Sequence, residues 1–223
     1  MPKVEVRTYT IPPTPLIPNS PHVLIHYPAL LLPLLKTPSF SPTHIYDLFA
    51  RNGWQTQWIA RYGPTQASHY HSGAHEAMAV ISGSGAKIRF GVADSADSPD
   101  EAGEPGGVLL EARLGDVFIV PAGVAHKTHE PSPPTDGMRF LEAPDRRDEV
   151  GARSFFGGVV LEGDFMMMGA YPKGDEWDFK VGGEDEGRFG EVWGVQVPGR
   201  DPVLGMSGEG LRGLWKVEDK AKL

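Results

Sequence analysis

The sequence predicts a single all-β domain, and three observations support this. The 223 residues, 40 % of them hydrophobic, are enough for one core, and barrels or sandwiches of this length ordinarily form one domain. The 28 glycines and 21 prolines favour many tight turns over a helical bundle. Short apolar runs bounded by turn residues recur from Trp54 to Tyr171.

The elements follow from alternation and turn signals. Val4, Val6 and Thr8 alternate as in an edge strand, and Ser41-Pro42 starts a helix that ends at residues 51–53. Residues 145–151 are charged and turn-like, or form a short helix. The predicted strands of the barrel are 55–62, 68–71, 76–82, 87–91, 108–113, 117–120, 124–128, 138–142, 155–161 and 165–171.

Three segments lie outside this pattern. Residues 22–35 are apolar but short and interrupted by prolines, so they predict an arm packed on the domain or on a second subunit. Residues 94–107 hold five acids and no base, which predicts a solvated loop without an active role. The Gly-rich chain after residue 172 should wrap the barrel. The expected division is an arm and helix at 1–53, a barrel at 54–175 and an extension at 176–223, all in one structural domain.

Composition excludes several classes of function. A formal net charge of -8 and a pI near 5.5 argue against nucleic-acid and anionic-membrane partners. The absence of cysteine excludes disulfides, thiolate ligands and a cysteine nucleophile. The first fifteen residues hold no apolar stretch typical of a secretory signal, so we expect a cytoplasmic protein.

One stretch, residues 63–83, carries the chemistry. His69 and His71 are two apart, so on a strand both imidazoles face one side while Tyr70 faces the other. Ser72-Gly73-Ala74 supplies a turn that resets this parity and brings the Glu76 carboxylate back toward the histidines. Two imidazoles and a carboxylate are typical ligands of a divalent metal.

Two spaced motifs extend this observation. The first has the form G-x5-H-x-H-x4-E-x6-G, and the second has the form G-x5-P-x-G-x2-H. Their positions are Gly63, His69, His71, Glu76 and Gly83, then Gly115, Pro121, Gly123 and His126.

Together the motifs resemble the two signatures of the cupin superfamily, which implies a double-stranded β-helix, or jelly-roll barrel. The chain further resembles a little-characterised family of single-domain cupins from bacteria and fungi, over about residues 43–215. The resemblance lies in the segments LFARNGW, HYHSGAHE, GAYPKGDEWD and DPVLG. Two departures stand out: Glu130 replaces an asparagine of the second motif, and the segment between the motifs is long. Cupins differ widely in activity, so the resemblance does not name a reaction.

The resemblance implies His69, His71, Glu76 and His126 as metal ligands. This set leaves room for water or a chelating substrate, as in a Lewis-acid or redox site. It does not select among Mn, Fe, Zn, Ni, Cu and Co. No separate catalytic residue and no organic cofactor are indicated.

The other histidines are not assigned to the metal. His75 should point away from it as a rim or surface residue, although a turn one residue different would let it replace Glu76. His129 has the wrong parity and should be exposed, while His22, His26 and His44 lie outside the barrel segments.

The cavity is expected to be apolar. Met78 and Val80 should share the inward face with Glu76, and Phe118 and Val120 should lie in the core. On the late strand, either Met166 and Met168 or Phe165 and Met167 face inward. Arg61 and Arg89 are expected on the outer face or the rim, so an oxalate-like dianion fits less well than a small organic molecule.

Two functions follow as hypotheses. The first is a metal-dependent enzyme, an oxidoreductase of the dioxygenase type or an isomerase, with Glu130 or His75 as a conceivable base. The second is a non-catalytic barrel that binds or stores a metal or small ligand. The apolar arm further predicts a homodimer.

Overall fold

The computed structural model describes residues 4–98 and 100–216, which form two antiparallel sheets with short helices around them. The strands are β1 (Arg7–Tyr9), β2 (Leu24–Tyr27), β3 (Trp54–Arg61), β4 (Glu76–Ser82), β5 (Gly85–Phe90), β6 (Val108–Ala112), β7 (Val117–Val120), β8 (His126–Ser132), β9 (Arg139–Leu141) and β10 (Met166–Pro172). The helices are α1 (Leu32–Leu35), α2 (Thr43–Arg51), α3 (Glu149–Gly157), α4 (Phe189–Trp193) and α5 (Leu211–Leu214).

The two sheets enclose the inner core. The seven-stranded sheet has the order β1-β2-β7-β4-β10-β3-β9, and the three-stranded sheet has the order β6-β5-β8. Met78, Val80 and Phe118 of the large sheet pack in one cluster with Ile88 and Phe90 of the small sheet. The predicted all-β architecture is therefore confirmed.

A second core lies on the other face of the large sheet. It contains Ile59 and Met168 from the strands, Phe49 from α2, Phe156 from α3 and Leu211 from α5. The large sheet is covered on both faces, which explains why β4 is apolar at nearly every position and buried throughout.

The structure shows which pair of residues at the start of β10 faces inward. Phe165 and Met167 join the inner core, whereas Met166 and Met168 join the outer one. Val120 is also in the inner core, as expected from its strand.

Two predicted strands are wrong. Residues 155–161 begin inside α3, because Asp148 caps that helix by accepting a hydrogen bond from the Gly151 amide at 3.0 Å. Residues 68–71 form only isolated bridges, through His69 to His126 and through Tyr70 to Lys180. The helix predicted after Ser41 is found as α2.

The acidic loop is anchored, contrary to the solvated loop that its composition predicted. Glu104 is only 9 % exposed and accepts hydrogen bonds from the Thr14 hydroxyl at 2.8 Å and the Leu16 amide at 3.0 Å. Asp94 lies 3.1 Å from the Lys127 Nζ and 2.6 Å from an Arg89 guanidinium nitrogen. The loop therefore ties the amino-terminal segment to the small sheet.

The amino-terminal arm is part of the sheet. β2 pairs with β7, and within β2 His26 is buried and lies 3.0 Å from Asp116. The prediction that His26 lies outside the barrel strands is wrong. Among the described residues, no helix is long and apolar enough to cross a membrane.

Candidate metal centre

Three histidines converge at one mouth of the barrel. His126 is the first residue of β8, and its amide and carbonyl exchange hydrogen bonds with the backbone of His69 at 2.8 and 3.2 Å. His71 is held by its carbonyl, which accepts from the Gly123 amide at 2.8 Å. One ring nitrogen from each of His69, His71 and His126 lies within 4.8 Å of the others.

Glu76 completes the cluster from the first position of β4. One carboxylate oxygen lies 3.2 Å from His126 Nε2, and the other lies 3.5 Å from His71 Nε2. All four side chains are buried, with 7 % exposure or less. Tyr70 faces the opposite way, where its hydroxyl donates to Asp185 at 2.9 Å.

The hydrogen bonds of the rings suit metal binding. His69 Nδ1 lies 3.1 Å from the Ala67 carbonyl, His126 Nδ1 lies 3.2 Å from the Val124 carbonyl, and His71 Nδ1 contacts the Asp178 carbonyl. A carbonyl only accepts, so these contacts place the ring hydrogens on Nδ1 and leave the Nε2 lone pairs for a cation. The Glu76 Oε2 atom is buried without a hydrogen-bond partner, which also fits a cation at this point.

Burial and mutual contacts control the charges of this cluster. Burial, together with neighbouring His126 and His71, holds the pKa of His69 well below its usual value, so that ring is neutral. Burial alone would raise the pKa of Glu76, but His71 and His126 outweigh it and hold that pKa well below its usual range. Burial likewise opposes protonation of His71, yet the Glu76 carboxylate raises its pKa.

Above the cluster lies a cavity of about 410 Å³ with mostly aromatic walls. Its lining comprises Trp58, Tyr62, Gln66, Ala67, His69, His71, Glu76, His126, Met138, Phe140, Tyr171, Trp177 and Phe179. The Tyr171 hydroxyl donates to Glu76, lies 3.3 Å from His71 Nε2 and accepts from Trp58 Nε1 at 3.0 Å. One aromatic side chain thus connects the cluster to the cavity wall.

A segment of the carboxy-terminal extension, residues 174–185, closes one side of the cavity, and we call it the strap. Its Asp178 carboxylate accepts from the Ser72 amide at 2.7 Å and from the Ser72 hydroxyl at 2.5 Å. Lys180 and Tyr70 exchange backbone hydrogen bonds at 2.8 and 3.1 Å. Phe179 stacks on His69 with the ring centroids 4.0 Å apart.

The remaining histidines lie away from the cluster. His75 is buried, so the expectation of a rim or surface position is wrong. Its Nδ1 accepts from the Ala122 amide at 3.0 Å, and burial, followed by the charge of His22, lowers its pKa to about 4. His129 is partly buried on the small sheet, 3.6 Å from Glu130. Glu130 is exposed and pairs with Lys87 at 2.6 Å, so it does not reach the cavity.

Parity on β10 could have identified one of the cavity residues. Extending the inward pair Phe165 and Met167 by two-residue steps reaches Gly169 and then Tyr171. Trp177 and Phe179 carry no such signal, because they lie beyond the last strand.

Two antiparallel sheets, with both histidine motifs meeting at one mouth, are the arrangement that the resemblance to the cupin superfamily implies. The chain is similar to the uncharacterised protein YjlB of Bacillus subtilis (strain 168), with 27% identity over 214 residues, 95% of this chain and 97% of that protein. No protein-family model matches the chain.

Three solved structures are also similar, at low scores. RmlC from Streptococcus suis, in complex with dTDP-D-xylose, matches with a TM-score of 0.34 and 12% identity, over 79% of this chain and 73% of that one. Oxalate decarboxylase from Lactobacillus farciminis, in a formate complex, matches with a TM-score of 0.33 and 10% identity, over 79% of this chain and 33% of that one. Vicilin from Capsicum annuum matches with a TM-score of 0.32 and 10% identity, over 71% of this chain and 30% of that one. The chain thus spans about a third of the last two proteins.

Proposed function

We propose that the chain binds one divalent metal ion through His69, His71, Glu76 and His126 and is a metal-dependent enzyme acting on a small organic molecule. The observation that carries this proposal is the matched orientation of the three imidazoles. Each Nδ1 is occupied by a backbone carbonyl, and the Nε2 atoms of His71 and His126 approach the Glu76 carboxylate. Without a cation, desolvating this many polar groups together is costly.

When bound, the metal would polarise a substrate oxygen and, if it is redox-active, support oxidoreductase chemistry of the dioxygenase type; otherwise it would support isomerisation. The protein supplies orientation and exclusion of water. Tyr171 holds one Glu76 oxygen and has Trp58 as its own donor, so the carboxylate cannot rotate freely. The aromatic walls keep bulk water from the cluster.

Metal content is the first test. Protein purified without an affinity metal is analysed for Mn, Fe, Co, Ni, Cu and Zn, beside the variants His69→Ala and His126→Ala. His44→Ala is the matched control, because His44 is exposed and lies outside the cluster. We expect stoichiometric metal in the wild type and the control. Ligand variants should bind the metal more than ~100-fold more weakly, since changing a residue that only orients a ligand already costs about 10–100-fold.

Turnover is the second test. Apo-protein loaded with Fe, Mn or Cu is followed for oxygen uptake with thiols, diketones, phenols and dicarboxylates, and the same mixtures are checked for isomerised product by NMR. Activity that disappears in His126→Ala supports the enzyme. Tight metal binding without turnover for any compound would instead support the binding or storage barrel.

Three further expectations belong to this proposal. The protein should be cytoplasmic. It should also form a homodimer through its amino-terminal arm, and size-exclusion chromatography with light scattering would test that oligomeric state. The division at residues 53 and 175 also remains a prediction; β1 and β2 share a sheet with the barrel strands, and residues 217–223 lie outside the described chain.

A further inference from the structure

The cavity above the metal cluster carries features that select a ligand, and they concern its walls rather than the four proposed metal ligands. Six of the lining residues are aromatic, apart from the histidines: Trp58, Tyr62, Phe140, Tyr171, Trp177 and Phe179. None of the described residues that line it is lysine or arginine. Arg61 is next to the cavity residue Tyr62 in sequence, but it does not supply a positive charge to the cavity. It donates to the Gly137 carbonyl at 3.2 Å and faces a different groove.

The rim of the cavity exposes apolar surface that the chain does not cover. Phe179 is 51 % exposed, Met138 42 % and Phe140 40 %. Neighbouring large apolar groups left open at the mouth of a concave site mark it for an apolar ligand. A cavity of about 410 Å³ is at the small end for organic ligands, which limits the ligand to one or two rings.

Trp177 supplies an unused donor. Its Nε1 atom is buried and has no hydrogen-bond partner among the described residues, although the ring lines the cavity. The ring is held in place by Tyr171, stacked at 6.3 Å, and by edge contacts with His71 at 5.6 Å and Phe140 at 6.0 Å. A ligand that accepts a hydrogen bond would satisfy this N–H.

A second polar atom lies nearby. The Gln66 Oε1 atom is buried without a partner, while the amide nitrogen of the same residue lies 3.5 Å from His69 Nδ1. Two residues of the lining, Trp177 and Gln66, therefore each hold a buried polar atom without a partner among the described residues. A ligand with a single polar group would leave one of them unsatisfied.

Charge balance limits the ligand further. Neutral imidazoles and one carboxylate around a divalent cation leave a net charge of about +1. A ligand that becomes a monoanion on binding neutralises that charge, whereas a dianion leaves an unpaired negative charge among aromatic rings.

We infer that the substrate is a small aromatic molecule, neutral in solution, that carries two adjacent oxygen atoms and presents a hydrogen-bond acceptor to Trp177 Nε1. This inference rests on the proposed function, because the adjacent oxygens are assigned to the metal. The aromatic ring is assigned to the cavity walls, where ring–ring packing contributes beyond burial alone.

The test uses zinc-loaded protein, since zinc is redox-inactive and permits binding to be measured without oxidative turnover. A naphthalenediol with adjacent hydroxyls is titrated by calorimetry and by tryptophan fluorescence, and malonate serves as the chelating probe without a ring. We expect the diol to bind, to quench the tryptophans and to bind much more tightly than malonate. Malonate binding as tightly as the diol would overturn the inference.

The matched variants are Trp177→Phe and Trp193→Phe. Each removes an indole N–H and keeps an aromatic ring, but Trp193 lies outside the cavity and donates to the Pro18 carbonyl at 3.1 Å. Trp177→Phe should weaken diol binding by about 3–10-fold, the loss expected for one hydrogen bond. Trp193→Phe should leave it unchanged, and equal affinity in both variants would overturn the assignment of the donor.

The two proposals fail separately. If the wild type binds zinc no better than His69→Ala, the proposed metal centre is wrong. The diol is then titrated into metal-free wild type and Trp177→Phe, and binding that depends on Trp177 still supports an aromatic ligand. If zinc binds and the diol does not, the substrate class alone is wrong.

Discussion

Gly169 lies against the wall of the cavity, and replacing it with alanine should destabilise the protein. It pairs with Trp58 across β10 and β3. An added Cβ would lie 2.5 Å from the Trp58 Nε1 atom and closer still to two carbons of the indole ring. The ring would have to move, and its hydrogen bond to the Tyr171 hydroxyl would break.

The cost can be worked out from these contacts. Overpacking a core costs about 1–3 kcal/mol. The lost hydrogen bond adds about 1 kcal/mol. Replacing a strand glycine returns about 0.5–1 kcal/mol of conformational entropy. The net free energy of unfolding should therefore fall by about 1–3.5 kcal/mol. This corresponds to a Tm lower by about 2–14 °C for a chain of this size.

Thermal and urea unfolding of metal-free protein measure this loss. Gly199→Ala is the matched control, because nothing lies within 4 Å of its added Cβ. A double-mutant cycle with Trp58→Ala identifies the cause, since Gly169→Ala should cost little once the indole is gone. Equal stability of Gly169→Ala and Gly199→Ala, or a cost that persists without Trp58, would refute this reasoning.

Three further predictions address the site and its supports. Tyr171→Phe removes the donor that holds Glu76 and should weaken metal binding by about 10–100-fold in competition with a chelator, while unchanged affinity would contradict the role of the hydroxyl. Burial raises the pKa of Asp185, but the hydrogen bonds from Lys180 and Tyr70, together with the charges of Lys180 and Arg188, outweigh it and lower that pKa below the usual 3.8. The resulting stability is complete above about pH 4 and is lost as the pH falls below that value, so unfolding of Asp185→Asn should differ most from wild type near neutral pH and converge in acid. Glu104→Ala should release the acidic loop, seen as faster amide hydrogen exchange over residues 93–104, and protection equal to wild type would mean that the loop is held by its other contacts.

Short-range patterns in the sequence were enough to predict two strands next to the cluster, β4 and β7. The strand predicted at residues 76–82 has the same ends as β4, and the strand predicted at residues 117–120 has the same ends as β7. Alternation also assigned Met78 and Val80 to the inner core. These predictions held because a buried strand repeats its pattern every two residues, whatever it packs against.

Long-range contacts were not predictable in the same way. Residues 155–161 are apolar enough for a strand, yet Asp148 caps a helix that runs into them. Glu104 belongs to a stretch whose composition indicates solvent exposure, but its partners are Thr14 and Leu16, about ninety residues earlier. Local composition contains no information about such partners.

The strap reaches the metal cluster through its main chain: the group that contacts His71 Nδ1 is the carbonyl of Asp178, not its side chain. Every amino acid offers that carbonyl, so this contact requires no particular side chain at residue 178, whereas the Asp178 carboxylate fixes the strap to Ser72. Trp177 and Phe179, on either side, line the cavity with their side chains, which also contact the rings of His71 and His69. One short segment therefore contacts the histidine cluster through its backbone and forms the cavity wall through its side chains.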